Sequence, residues 1–337
     1  MESKASSVSY LVAAVVFFAI KIAGHFGAFS FMGDAAGYVV NSFIQIFALV
    51  VIPFFIYKLM TKHKTKKILT DFGFKKVNKK TVGYSFLIGV FAFTGVVVIS
   101  LMWQNILALI GYQSIFGQGD APANFWMLLV GVLTTAIMPA FCEEFLNRGM
   151  LLNNTKKFGI KRAIFISALL FALLHFNINQ VFYAFLIGLL LGGLTIITKS
   201  IWPAIIIHFT NNFLSVILGY VGSEGVAQTS VDNVFNFLFG QNPFLTTLNI
   251  VVLIVISVVG IAWCTGKIWI IEKQTQVEDM LGDIAVRYKP YDNSELGLNP
   301  SAEMIAEQEK LKEAGVEIKQ EAYDGEVFVK MAERAKY

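Results

Sequence analysis

Between Phe141 and Gly149 the chain reads Phe-Cys-Glu-Glu-Phe-Leu-Asn-Arg-Gly, which puts two adjacent carboxylates, Glu143 and Glu144, and the guanidinium of Arg148 inside a run with the character of a membrane-spanning helix. A charge near the bilayer centre costs at least ~3 kcal/mol, so such residues have either a functional or an ion-pairing reason to be there. Residues four apart share a helical face, so Glu144 lies over Arg148 and Glu143 over Asn147. Glu before Arg is also the favoured order for an ion pair. Glu144 therefore has a built-in counter-charge, and Glu143 faces something else. A desolvated carboxylate without a counter-ion is suited to general-base work. The plainer reading of the trio is an ion-pair staple between helices.

Two later apolar runs carry further polar groups at the same spacing. In Phe171-Ala-Leu-Leu-His175 an aromatic ring lies one turn from the imidazole and can hold its rotamer. In His208-Phe-Thr-Asn-Asn212 an imidazole and a carboxamide share a face. Counted at 1.5 Å per residue from Lys156, Lys161 and Lys199, Glu143 and His175 lie roughly 20 Å, and His208 roughly 13 Å, above the lysine-bearing side, close enough for the side chains to meet in one layer. Together they suit water attack on an amide. Glu143 takes a proton from water, His175 helps hold or share it, and His208 with Asn212 donates N–H groups to the oxyanion. No Ser or Cys is placed as a nucleophile, and no G-x-S-x-G is present. Glu143, His175 and His208 also have the composition of a catalytic zinc site. No H-E-x-x-H is present, and Asn212 suits an oxyanion better than a metal, so the favoured mechanism requires no cofactor. His25, one turn from Lys21, and His63, in a lysine-rich loop, are assigned no role.

The elements that must position these groups follow from composition. The chain has 337 residues, 56% hydrophobic and 15% charged, which is not the balance of a soluble domain. Apolar runs near 7–31, 38–57, 82–111, 126–153, 163–177, 181–198, 202–220 and 244–270 predict an all-α polytopic membrane protein of about eight spans, the first interrupted by Lys21 and His25 and the fifth short. The first is read as a span and not as a cleaved signal. Cys142 and Cys264 both lie in apolar runs, as small buried residues. Nine lysines between Lys58 and Lys80, those around Lys156 to Arg162, Lys199 and Lys267 mark the cytoplasmic ends, whereas the connections holding Asp120, Glu224 and Asp232 lack Lys and Arg. Both termini are then cytoplasmic, and the cell membrane is the expected location. Ala184, Gly188 and Gly192 form a small-residue packing face, and Pro139 can kink its span.

Residues 1–271 carry 18 Lys+Arg against 8 Asp+Glu, and residues 272–337 carry 9 against 15. The transmembrane domain thus gives way near 271 to a charged cytoplasmic tail, in which a short helix over 302–314 is expected. The tail is open to a cytosolic partner. Nothing points to nucleic acid, because the basic residues serve as topology signals.

Glu143-Glu144-x-x-x-Arg148, then Phe171-x-x-x-His175, then His208-x-x-x-Asn212 resemble the CAAX-protease and bacteriocin-processing (Abi, CPBP) family of intramembrane endopeptidases. That family includes the prenyl endopeptidase of the Ras-converting-enzyme type. The resemblance covers about 126–218. It implies an all-helical membrane core, Glu143 as water-activating base with His175, and His208 with Asn212 at the oxyanion. Glu144, Arg148 and Phe171 take supporting positions. The implied substrate is a membrane-associated peptide or lipidated protein. The competing readings are a non-catalytic scaffold, or a bacteriocin self-immunity or regulatory protein, that keeps the protease-like fold. A proton-coupled transporter is disfavoured by the lack of matched inverted halves.

Overall fold

A computed structural model describes residues 2–28, 42–112, 122, 124–222, 228–240, 242–287 and 310. Every regular element among them is helical. In chain order they are α1 Glu2–His25, α2 Ser42–Thr61, α3 Thr65–Asp71, α4 Lys79–Leu109, α5 Phe125–Phe158, α6 Ile160–Leu174, α7 Ile178–Thr198, α8 Trp202–Val221, α9 Gln228–Phe239 and α10 Pro243–Arg287. Seven of them, α1, α2, α4, α5, α7, α8 and α10, are long and apolar enough to cross a membrane. The chain divides into two compact units, Met1–Trp269 and Ile270–Tyr337. The helix expected over 302–314, apart from Lys310, and the connections holding Asp120 and Glu224 lie outside the described residues.

Of the eight expected runs, the one at α6 is too short to cross by itself. Its 15 residues cover roughly 22 Å, less than the ~30 Å of hydrocarbon. It is half of a hairpin with α7, and the small-residue face of α7 is what brings the two together. A Cβ on Gly188 would come within 2.9 Å of Ala168 Cα, so only a bare backbone fits there.

Ends are set by local chemistry. Asn78, Asn124 and Asn177 cap α4, α5 and α7, their side chains accepting from Lys80 N, Met127 N and Asn179 N at 3.0 Å. Pro203 opens α8, where its missing N–H costs nothing. α5 does not keep one pitch. Val132–Ile137 and Phe145–Leu152 are wound as π-helix, on either side of a turn that starts at Met138 and Pro139. Such widened stretches recur at functional sites, and proline removes an α-helical hydrogen bond.

α1 is fastened to the widened end of α5 by a polar stripe. Ser3 Oγ donates to Asn154 O at 2.8 Å and Ser6 Oγ to Met150 O at 2.8 Å, while the Tyr10 hydroxyl donates to Asn147 Oδ1 at 3.2 Å. Bonds of this kind contribute on the order of 0.6 kcal/mol each in a membrane. Tyr57, Phe72 and Phe145 stack edge-on beneath this contact, at 5.0 and 5.5 Å between centroids. On the other side, Ile88, Leu191, Leu194, Ile207, Cys264 and Ile268 form a second core from α4, α7, α8 and α10. Both cysteines are buried and free.

Candidate active site

The first fixed point is Glu144, which is fully buried on α5. Arg148, one turn on and also fully buried, donates from Nη1 to Glu144 Oε1 at 2.8 Å, as the spacing predicts. The same oxygen accepts from His208 Nδ1 of α8 at 2.9 Å. The second guanidinium arm, Nη2, reaches Gly188 O on α7 at 3.1 Å. Three elements of the fold, α5, α7 and α8, thus meet around one carboxylate and its cation. A buried ion pair needs further hydrogen bonds to its members, and His208 and Gly188 O supply two of them, while Glu144 Oε2 and Arg148 Nε stay buried without a partner.

Phe171 is the second fixed point. The Arg148 guanidinium lies 4.3 Å above its ring centroid, a cation–π contact. The His175 and His208 rings stand edge-on to it at 5.0 and 5.6 Å. One phenyl ring therefore sets the positions of three other motif residues. His175 ends α6, with Nδ1 3.0 Å from Phe171 O. A carbonyl only accepts, so Nδ1 carries a proton and Nε2 is the ring nitrogen turned away from Phe171 O. By the same reasoning His208 donates from Nδ1 to the Glu144 carboxylate and turns Nε2 away from it.

Glu143 is handled differently. Asn147, one turn along, gives its Nδ2–H to the Glu143 backbone oxygen at 2.8 Å and not to the carboxylate. Glu143 Oε2 is buried without a hydrogen-bond partner, and the side chain as a whole is half-exposed. The carboxylate accepts nothing from His175, His208 or Asn212 in the described residues. The two neighbouring glutamates thus differ: Glu144 Oε1 takes both Arg148 and His208, with Oε2 unpartnered, and Glu143 takes neither of those donors.

Asn212 finds a partner that sequence spacing does not show. Its Nδ2 donates to Thr135 O at 3.1 Å. Thr135 lies four residues before Pro139, which has no N–H to offer that carbonyl in an α-helical register, and the amide of α8 donates to it instead. Asn211 Nδ2 in turn donates to Asn212 Oδ1 at 3.3 Å, which fixes which end of the Asn212 amide is the donor. Asn212 Nδ2 carries two hydrogens, and one remains for an oxyanion. Asn211 and Thr135 were missed in the sequence; the one signal for them was a proline four residues beyond a carbonyl.

The alternative zinc set, Glu143, His175 and His208, does not gather ligand atoms within 4.8 Å of one another. Among the described residues the group that does is Glu2, His63 and Asp71. There Lys67 Nζ sits 2.6 Å from Asp71 Oδ2 and 3.9 Å from Glu2 Oε1, and His63 Nε2 is 3.8 Å from the same Glu2 oxygen. The bond to Asp71 holds the Lys67 pKa above the ordinary lysine value. An ammonium therefore already occupies these carboxylates, and the cluster reads as an ion-pair network.

Residues 124–214 match the family model described as type II CAAX prenyl endopeptidase Rce1-like. The match runs from the cap of α5 into α8 and contains all seven motif residues from Glu143 to Asn212. No curated protein and no solved structure matches the chain. With its seven apolar helices, the chain is a multi-pass membrane protein in which residues 124–214 are similar to this protease family.

Proposed function

We propose that this domain is an intramembrane endopeptidase that hydrolyses a peptide bond in a membrane-associated or lipidated peptide, with water activated by Glu143. The observation that carries the reading is the division of labour between adjacent carboxylates. Glu144 holds Arg148 and His208 through Oε1, whereas Glu143, one step round the helix, bonds neither of them and its side chain is half-exposed. Glu143 takes a proton from water as the water oxygen attacks the scissile carbonyl carbon. His175, with Nε2 free, orients that water or shares its proton. The carbonyl oxygen gains negative charge and is met by Asn212 Nδ2 and His208 Nε2. For Nε2 to donate while Nδ1 is on Glu144, His208 acts as an imidazolium, and the Glu144 carboxylate is placed to stabilise that charge. The proton held by Glu143 then passes to the leaving nitrogen and the C–N bond breaks.

No bound cofactor is needed for these steps, and the lysine-bearing loops and both termini are assigned to the cytoplasmic side of the cell membrane. The direct test is cleavage of a farnesylated peptide ending in C-a-a-X by the purified, liposome-reconstituted protein, with products identified by mass. Release of the residues that follow the modified cysteine is expected. Intact prenylated and unprenylated peptides after many hours, with folded protein, would overturn the reading for this substrate class.

A further inference from the structure

At the lysine-bearing end of the domain, three backbone segments are tied into one knot. Asn153 Nδ2 donates to Phe72 O at 3.1 Å, Ile201 N to Gly73 O at 3.0 Å and Ser200 Oγ to Lys75 O at 2.7 Å. Lys156 Nζ bonds Asn153 Oδ1 at 2.9 Å. The knot therefore carries one exposed lysine from each segment: Lys75 from the connection between α3 and α4, Lys156 from the end of α5, and Lys199 between α7 and α8. Lys75 and Lys199 both lie within electrostatic range of Lys156. The carboxylate that also reaches Lys156 is Asp71, and it is already bonded to Lys67 at 2.6 Å. Three like charges are thus held together by the fold with their nearest acid already engaged. Lys199 also has a left-handed backbone, φ 53°, where glycine would be free of strain and a lysine is not.

We propose that Lys75, Lys156 and Lys199 form a binding site for a phosphate group, supplied by the headgroup of an anionic membrane lipid. The position selects the lipid. Lys75 stands just before span α4, Lys156 at the end of α5 and Lys199 between α7 and α8, and Trp202, exposed beside Lys199, is the side chain that favours the headgroup level. Ammonium groups act on phosphate as point charges, and a phosphate among three of them relieves their repulsion. Bound there, the headgroup braces the ends of α5 and α8, which carry Glu144 and His208. The site does not depend on proteolysis, and its test reads binding and stability only.

Full-length protein in detergent micelles is titrated with phosphatidylglycerol, with phosphatidylcholine and with inorganic phosphate. Bound lipid is counted by native mass spectrometry, and the thermal midpoint is followed. Phosphatidylglycerol is expected to bind saturably and raise the midpoint, and phosphatidylcholine is not. Lys156→Gln and Lys199→Gln should each weaken the half-saturating concentration roughly fivefold. Lys156→Arg, which keeps the charge, should bind like the wild type and guards against a folding defect. The control is Lys62→Gln, because Lys62 has the same left-handed backbone, φ 57°, but is not among the tied segments. Equal weakening by Lys62→Gln would overturn the site in favour of diffuse attraction. Displacement of the lipid by inorganic phosphate at equal concentration would overturn the lipid as occupant in favour of the free anion.

Discussion

Asn212 and His208 differ in what their removal should do, because they touch different partners. Asn212 is bonded to Thr135 O and Asn211, so its loss leaves the ion pair intact. Asn212→Ala should lower kcat by roughly 10²- to 10³-fold, the usual cost of one oxyanion donor, with KM nearly unchanged. A rise in KM with kcat preserved would make it a substrate-binding residue instead. Chelation bears on the same residues. Activity should survive strong chelators, and one tightly bound zinc per chain whose removal reversibly abolishes cleavage would refute the assignment. At this scale the Glu144–Arg148 pair was legible, because a four-residue spacing is a geometric statement about a helix. The bond from His208 to Glu144 was not. It joins residues 64 positions apart, and no local pattern distinguishes a histidine aimed at Glu143 from one aimed at its neighbour.

Among the elements, α5 does the positioning, and Pro139 marks where it departs from a plain helix. Pro139→Ala supplies an N–H four residues after Thr135 O, a donor that can compete with Asn212 for that carbonyl. Stability should hold or rise, and kcat should fall by roughly 10- to 100-fold through misplacement of a single donor. Unchanged kcat would show that the amide does not need Thr135. Phe171 makes the parallel case for α6. Phe171→Leu removes the ring beneath Arg148 and should cost about 1–2 kcal/mol, read as a lower thermal midpoint. The apolar runs and the small-residue face of α7 were readable, because length and glycine spacing are one-dimensional signals. The π-wound stretches of α5 were not, and neither was the Ser3, Ser6 and Tyr10 stripe of α1. Both depend on which carbonyls a neighbouring helix happens to satisfy.

For the whole molecule, the lysine distribution predicts that the loop from Lys58 to Lys80 faces the cytoplasm. The two native cysteines are buried, so they provide a quiet background for single-cysteine labelling in intact cells. Labelling of that loop by an impermeant reagent from outside would reverse the orientation. The central claim, that one glutamate of the pair performs the chemistry and the other holds the frame, is tested most directly by comparing Glu143→Gln with Glu144→Gln. Cleavage and thermal unfolding are measured on the same purified samples. Glu143→Gln should keep the wild-type midpoint and lose cleavage, because the amide preserves shape but cannot take the proton. Glu144→Gln should unfold more easily, by about 3–5 kcal/mol, because it strands the buried Arg148. A Glu143→Gln protein that cleaves like the wild type would contradict the account.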